Sequence, residues 1–244
     1  MARINVVEPV EGSEPTLVEG FPGVGLVGKI AADHLVEELE MVHHGNVHCE
    51  GLPPVVGYGE SAPGLRTPVR LYADPETDLL VLQSDVPVAA GAAETVADCL
   101  GGGVDDDVTA LYLRGIPAER DEAPPAVDGV GTGDAIDPLA QVGPGAPPET
   151  GLISGPTGAL LARALERGEP SFGVVADSDP QFPDPAASRA VIHEAIEPLT
   201  GIEVPTDSLV DRASDIRQAR ERLARQMQEA EADSSRARPL GMYQ

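Results

Sequence analysis

The segment TLVEGFPGVGLVGKIAADHLVEEL, residues 16–39, constrains the fold more than any other. A short apolar strand pattern runs into three glycines, Gly23, Gly25 and Gly28. A helical pattern follows at once, with Ile30, Leu35 and Leu39 on one face and Ala31 and Ala32 beside them. A strand that turns this sharply into a helix is half of a β–α–β unit, and such units cover the faces of a parallel sheet. The alternation continues. TDLLVLQSD, DDDVTALYLRGIP and SFGVVADSD read as strands buried on both faces. AAGAAETVADCLGGG, GALLARALERG and DPAASRAVIHEAIEPLTG read as helices. The expected fold is α/β: a three-layer sandwich with a mostly parallel central sheet. Residues 117–151, rich in Pro, Gly and acid, are expected to be surface loops with one short hairpin.

The glycine loop spells G-x-G-x-x-G, the pattern that lets backbone approach a pyrophosphate at a helix N-terminus. Glu50, about 22 residues beyond Gly28, is the only acid near the end of the next strand and would be the ribose partner. Against this, Phe21 and Pro22 stand where small residues normally begin the fingerprint, and Lys29 follows the last glycine directly. It is not a P-loop, because Ile30 replaces the required Ser or Thr. Close packing at a tight turn is the preferred reading of the glycines. A nucleoside- or nucleotide-binding enzyme using the Gly23–Gly28 loop is the alternative.

No other constellation points to catalysis. Ser154 is not in a G-x-S-x-G elbow, so Ser154 or Thr157 is expected to cap the next helix. His43, His44 and His48 lack partners at metal-ligand spacing, and the acidic runs lack the EF-hand pattern. No catalytic residue, metal or cofactor is expected.

The formal net charge is −25, from 41 acidic and 16 basic residues, and Lys29 is the only lysine. Carboxylates in this excess hold water and keep a protein soluble in concentrated salt, a halophilic, haloarchaeal composition. No basic patch for nucleic acid is visible. Cys49 and Cys99 are read as reduced, buried thiols. With no apolar run long enough for a membrane span and no secretory h-region, a cytoplasmic protein is expected.

From about Pro205 the pattern changes. Leu209, Ala213, Ile216, Arg220, Leu223, Met227 and Ala230 form a heptad seam with one polar intruder, Arg220. The expected organisation is an α/β core over 1–204, an amphipathic helix over 205–233 and a flexible tail over 234–244. The helix serves as a stalk or oligomer contact through Leu209, Ala213, Ile216, Leu223 and Met227. The tail ends Met242-Tyr243-Gln244: an apolar residue, Tyr, then any residue.

EGFPGVGLVGKIAADHLVEELEM, LLVLQSD, LISGPTGALL and a terminal helix together resemble the archaeal members of the proteasome assembly chaperone family. The resemblance spans about residues 14–230. It implies a sandwich related to nucleoside-phosphorylase-like folds, no established catalysis, and homo-oligomers, expected as trimer to pentamer. Phe21, Pro22, Gly23, Gly25, Gly28 and Lys29 are the signature turn. Met242-Tyr243-Gln244 is similar to the hydrophobic-Tyr-X tail with which such chaperones dock between α-subunits of the proteasome core particle. No nucleic acid or membrane partner is implied.

Overall fold

The structure, a computed structural model, describes residues 3–9, 15–59, 62–89, 95–96, 98, 108–119, 123–214 and 216. The strands are β1 (Arg3–Val6), β2 (Thr16–Gly20), β3 (Val42–His48), β4 (Gly57–Gly59), β5 (Ala62–Arg66), β6 (Val69–Asp74), β7 (Leu79–Ser84), β8 (Thr109–Pro117), β9 (Val127–Thr132) and β10 (Ser171–Ser178). The helices are α1 (Val27–Glu38), α2 (Ile136–Val142), α3 (Gly155–Arg167) and α4 (Pro185–Val191). From α4 the chain runs through a π-helical turn (Ile192–Ile196) into α5 (Glu197–Thr200). A last described helix, α6, starts at 207 and is described to 214.

One sheet carries eight of the described strands in the order β1-β3-β6-β7-β2-β8-β10-β9, and β4 and β5 form a separate hairpin. The four central strands β7, β2, β8 and β10 run parallel. The wings are antiparallel: β1, β3 and β6 on one side, β9 on the other. The expected parallel sheet is thus confined to the centre. Connection length explains the wing. Between Asp74 and Leu79 lie only four residues, too few for a parallel crossover and enough for a tight turn. Asp74 holds that turn by accepting from the Glu76 N–H and the Thr77 hydroxyl. The 117–151 stretch holds more structure than expected: β9 joins the main sheet beside β10, and α2 follows.

Alternate residues of the central strands feed two apolar layers. Val18, Leu111, Leu113, Val174 and Ala176 pack with α1, the α4 region and α6, through Ala31, Leu35, Ile192, Ile196 and Leu209. Leu17, Ala110 and Tyr112 face the opposite layer with Phe21, Leu82, Val96 and Leu160 of α3. This period-two split is why the central strands read as continuous apolar runs. α1 lies very close to its strand: a Cβ on Gly20 would stand 2.2 Å from Cβ of Ala32. Any larger residue at position 20 would push helix and sheet apart.

Cys49 is disulfide-bonded rather than a reduced thiol. Cys99 lies outside the described residues.

Candidate functional site

Three sequence motifs meet at the carboxyl ends of β2, β7 and β8. The first is the signature turn. Gly25 has φ +60° and Leu26 φ +54°, so the chain passes through two left-handed residues before α1 begins. Gly25 also faces Ser178, whose Oγ would lie 1.7 Å from a Cβ at that position. Its carbonyl accepts from the Asp184 N–H at 2.8 Å. Asp184 caps α4 by accepting from Ala187 N–H, and the Ser188 hydroxyl, at 3.1 Å from both, bonds the carbonyls of Asp184 and Val27. The amino end of α1 is therefore covered by the 178–188 segment, with Val27 wholly buried. The glycines make a turn packed against the 178–188 segment.

Phe21 is buried in the apolar layer under α3, while Pro22 and Gly23 are half-buried. Gly28 packs against Leu113. Lys29 belongs to a polar network reaching the second motif, LLVLQSD. Its Nζ lies 2.5 Å from Asp33 and 3.2 Å from Asp85. Arg70 pairs with Asp85 at 2.8 Å and donates to Gln83, and the Gln83 amide donates to Asp33. Burial works against the Asp85 charge, but the Arg70 hydrogen bond and the two cations outweigh it and hold its carboxyl below the usual range. The same pairing outweighs burial at Arg70 and raises its pKa. The network ties α1 to β6 and β7.

The third motif, SGPTG, starts α3. Thr157 does not cap it and neither does the Ser154 side chain. Thr157 instead donates to Glu19 Oε2 at 3.1 Å, while the Phe21 N–H donates to Oε1 at 2.6 Å. Glu19 is fully buried, and burial pushes its carboxyl up to about 7 despite these hydrogen bonds and nearby Arg114. Tyr112, beside Glu19 across the strands, has its phenol pushed up by burial and by that carboxylate. Glu19, Arg114 and Thr157 were not singled out as a group from sequence. The available signal was an acid in the middle of an apolar strand pattern.

A second region is the root of the C-terminal helix. Leu209 is fully buried in the domain's own core and Ala213 is nearly so. The start of the heptad seam thus packs on its own domain. Ahead of it, His34 Nε2 donates to the Pro205 carbonyl at 2.7 Å. Arg189 Nε donates to the Thr206 hydroxyl at 3.1 Å, which bonds His193 Nε2 at 2.8 Å. His193 Nδ1 bonds Glu197 at 2.7 Å, and Glu197 accepts the Val204 N–H. An open cleft of about 450 Å³ lies beside this root, lined among others by Pro125, Pro185, Arg189, His193, Val210 and Ile216. Leu223, Met227, Met242, Tyr243 and Gln244 lie outside the described residues.

His43 stacks on Tyr72 with ring centroids 5.4 Å apart. Among the described residues, no group of His, Cys, Asp and Glu is arranged to hold a metal. No helix among them is long and apolar enough to cross a membrane.

The family model of the PAC2 family matches residues 17–224, and the chain belongs to that family. It is 25% identical over 234 residues to the Methanocaldococcus jannaschii protein MJ0106, covering 95% of this chain and 94% of that one. Among solved structures it resembles Pyrococcus furiosus PbaA, described as an archaeal homolog of proteasome-assembly chaperone. The TM-score is 0.72 at 27% identity, with 96% of each chain covered. It shares its fold with Pyrococcus furiosus PbaB, an archaeal proteasome activator, at TM-score 0.76, 22% identity and coverage of 91% and 98%. The resemblance read from the three motifs and the α/β fold both hold.

Proposed function

We propose that this protein is a cytoplasmic, homo-oligomeric, non-enzymatic partner of the proteasome core particle, acting as assembly chaperone or ATP-independent activator. The observation that carries the reading is the likeness to PbaA over 96% of both chains. The helix root supports it: α6 is plugged into the core by Leu209, so the chain beyond it leaves from a fixed point. Residues 205–233 serve as stalk or oligomer contact. Met242, Tyr243 and Gln244 dock between adjacent α-subunits. There Met242 buries apolar surface, the Tyr243 ring fills a pocket, and the Gln244 carboxylate meets a basic group of the core particle. A single tail binds weakly, but several tails on one oligomer act together through effective concentration. Tyr243→Ala should reduce capture of purified core particle at least tenfold, with the oligomer's sedimentation unchanged. Undiminished capture would refute tail docking.

A further inference from the structure

The β4–β5 ribbon stands apart from the main sheet. Among the described strands, β4 and β5 pair only with each other. A two-stranded ribbon is marginally stable by itself and gains stability when its apolar face is covered. Here that face is bare. Tyr58 is 84% exposed and Leu65 71%, and Val55 and Val56, which lead into β4, are exposed too. Gly57 pairs with Arg66, and a Cβ on Gly57 would meet the Arg66 stem at 3.2 Å. Tyr58 and Leu65 are the next residues on the two strands, so their side chains share the opposite face. Aromatics make up 3% of the chain, and the other described tyrosines, Tyr72 and Tyr112, lie in the apolar layers.

At the foot of the ribbon lies a cleft of about 550 Å³, lined by Leu52, Pro53, Val55 and Val56 among others, with Glu50 as its one acid. An apolar knob and a largely apolar hollow thus adjoin on one molecule and share Val55 and Val56. Charge decides which partner suits them. The formal net charge is −25, yet between Gly51 and Pro68 the sequence holds one acid, Glu60, and one base, Arg66. Two copies meeting on an acid-rich face would bring carboxylates together, and repulsion would oppose them. Through the ribbon they meet without that repulsion. A strongly basic partner would be drawn to the acid-rich faces instead. An exposed tyrosine among apolar side chains, with charge depleted around it, is the composition of an interface centre.

We propose that the β4–β5 ribbon binds the same ribbon of a second copy of this chain across a two-fold axis. Tyr58 and Leu65 of each copy cover those of the other, and each Tyr58 ring enters the cleft at the foot of its partner's ribbon. A knob beside its own hollow suits reciprocal exchange, because a two-fold contact sets the same patch on both sides. This contact gives a surface to the homo-oligomer proposed above. It rests on that oligomer and not on tail docking, and it uses no residue of 205–244.

The test is sedimentation equilibrium of the full chain in concentrated potassium chloride over a range of protein concentrations, with Tyr58→Ala and Leu65→Asp alongside. Both side chains are exposed, so each variant should still fold, which its far-UV circular dichroism checks. Tyr58→Ala should weaken association at least tenfold. Leu65→Asp sets two carboxylates against each other across the axis and should halve the mass of the oligomer. A photo-crosslinking p-benzoylphenylalanine at position 58 should join two copies, with the new bond inside residues 52–68 of the second. An oligomer that survives both substitutions would overturn the proposal. So would cross-links that stay within one chain, or that go to added core particle in place of a second copy. A wild-type chain that is monomeric at every concentration would overturn the homo-oligomer together with it.

Discussion

The signature turn and the root of the C-terminal helix are fixed by opposite means. In the turn, backbone and side chains are locked on several sides: Asp184 and Ser188 on one, Glu19 and Thr157 on another, the Lys29–Asp85–Arg70 network on a third. At the root, one apolar plug, Leu209, and a short polar chain through Thr206 and His193 do the holding, with an open cleft alongside. Close packing of backbone against backbone tolerates no substitution. A plug and a clasp tolerate some.

The sharpest way to break the contrast is Gly25→Ala. The left-handed backbone and the Ser178 hydroxyl in the path of a Cβ should together cost about 4 kcal/mol in denaturant unfolding. A loss below about 1 kcal/mol would mean the turn is not locked. Leu209→Ala at the root should cost about 3 kcal/mol, the usual range for a fully buried leucine.

Glu19→Gln runs the other way. The folded carboxyl keeps its proton up to about pH 7, whereas the unfolded one releases it near 4.5. The unfolded state thus binds fewer protons across that window, and wild-type stability falls as pH rises through it. Glutamine removes the penalty. The variant should gain up to about 2–3 kcal/mol at pH 8 and nothing at pH 4. An equal effect at both pH values would show that Glu19 is not held as a buried acid. The smallest effect belongs to Arg212→Ala, which removes an exposed pair with Glu37. Less than about 0.5 kcal/mol should be lost, because water screens such pairs.

Much of this was legible in the residues. The continuous apolar runs of β7, β8 and β10 and the strand–glycine–helix segment announced an α/β sheet covered on both faces. The antiparallel wing was harder to read, since β3 and β6 differ from parallel strands only in the length of their connections. The glycine turn could be read as packed from Phe21, Pro22 and Lys29, but its lock could not: Ser178, Asp184 and Ser188 lie more than 150 positions away in sequence. The Glu19–Thr157 bond spans 138 positions, and the local pattern pointed to Thr157 as a helix cap. Cys49 misled because reduced thiols are the ordinary reading of two distant cysteines. The heptad spacing does not say that its first members, Leu209 and Ala213, close the domain's own core.

The central claim is that the protein meets the proteasome core particle through its last three residues. The direct measurement is equilibrium binding of purified core particle to the full chain and to a chain ending at Gly241, at the same oligomer concentration. The account predicts saturable binding by the full chain and at least a tenfold loss on removing Met242-Tyr243-Gln244. Equal binding by the two chains, or none by either, would contradict it.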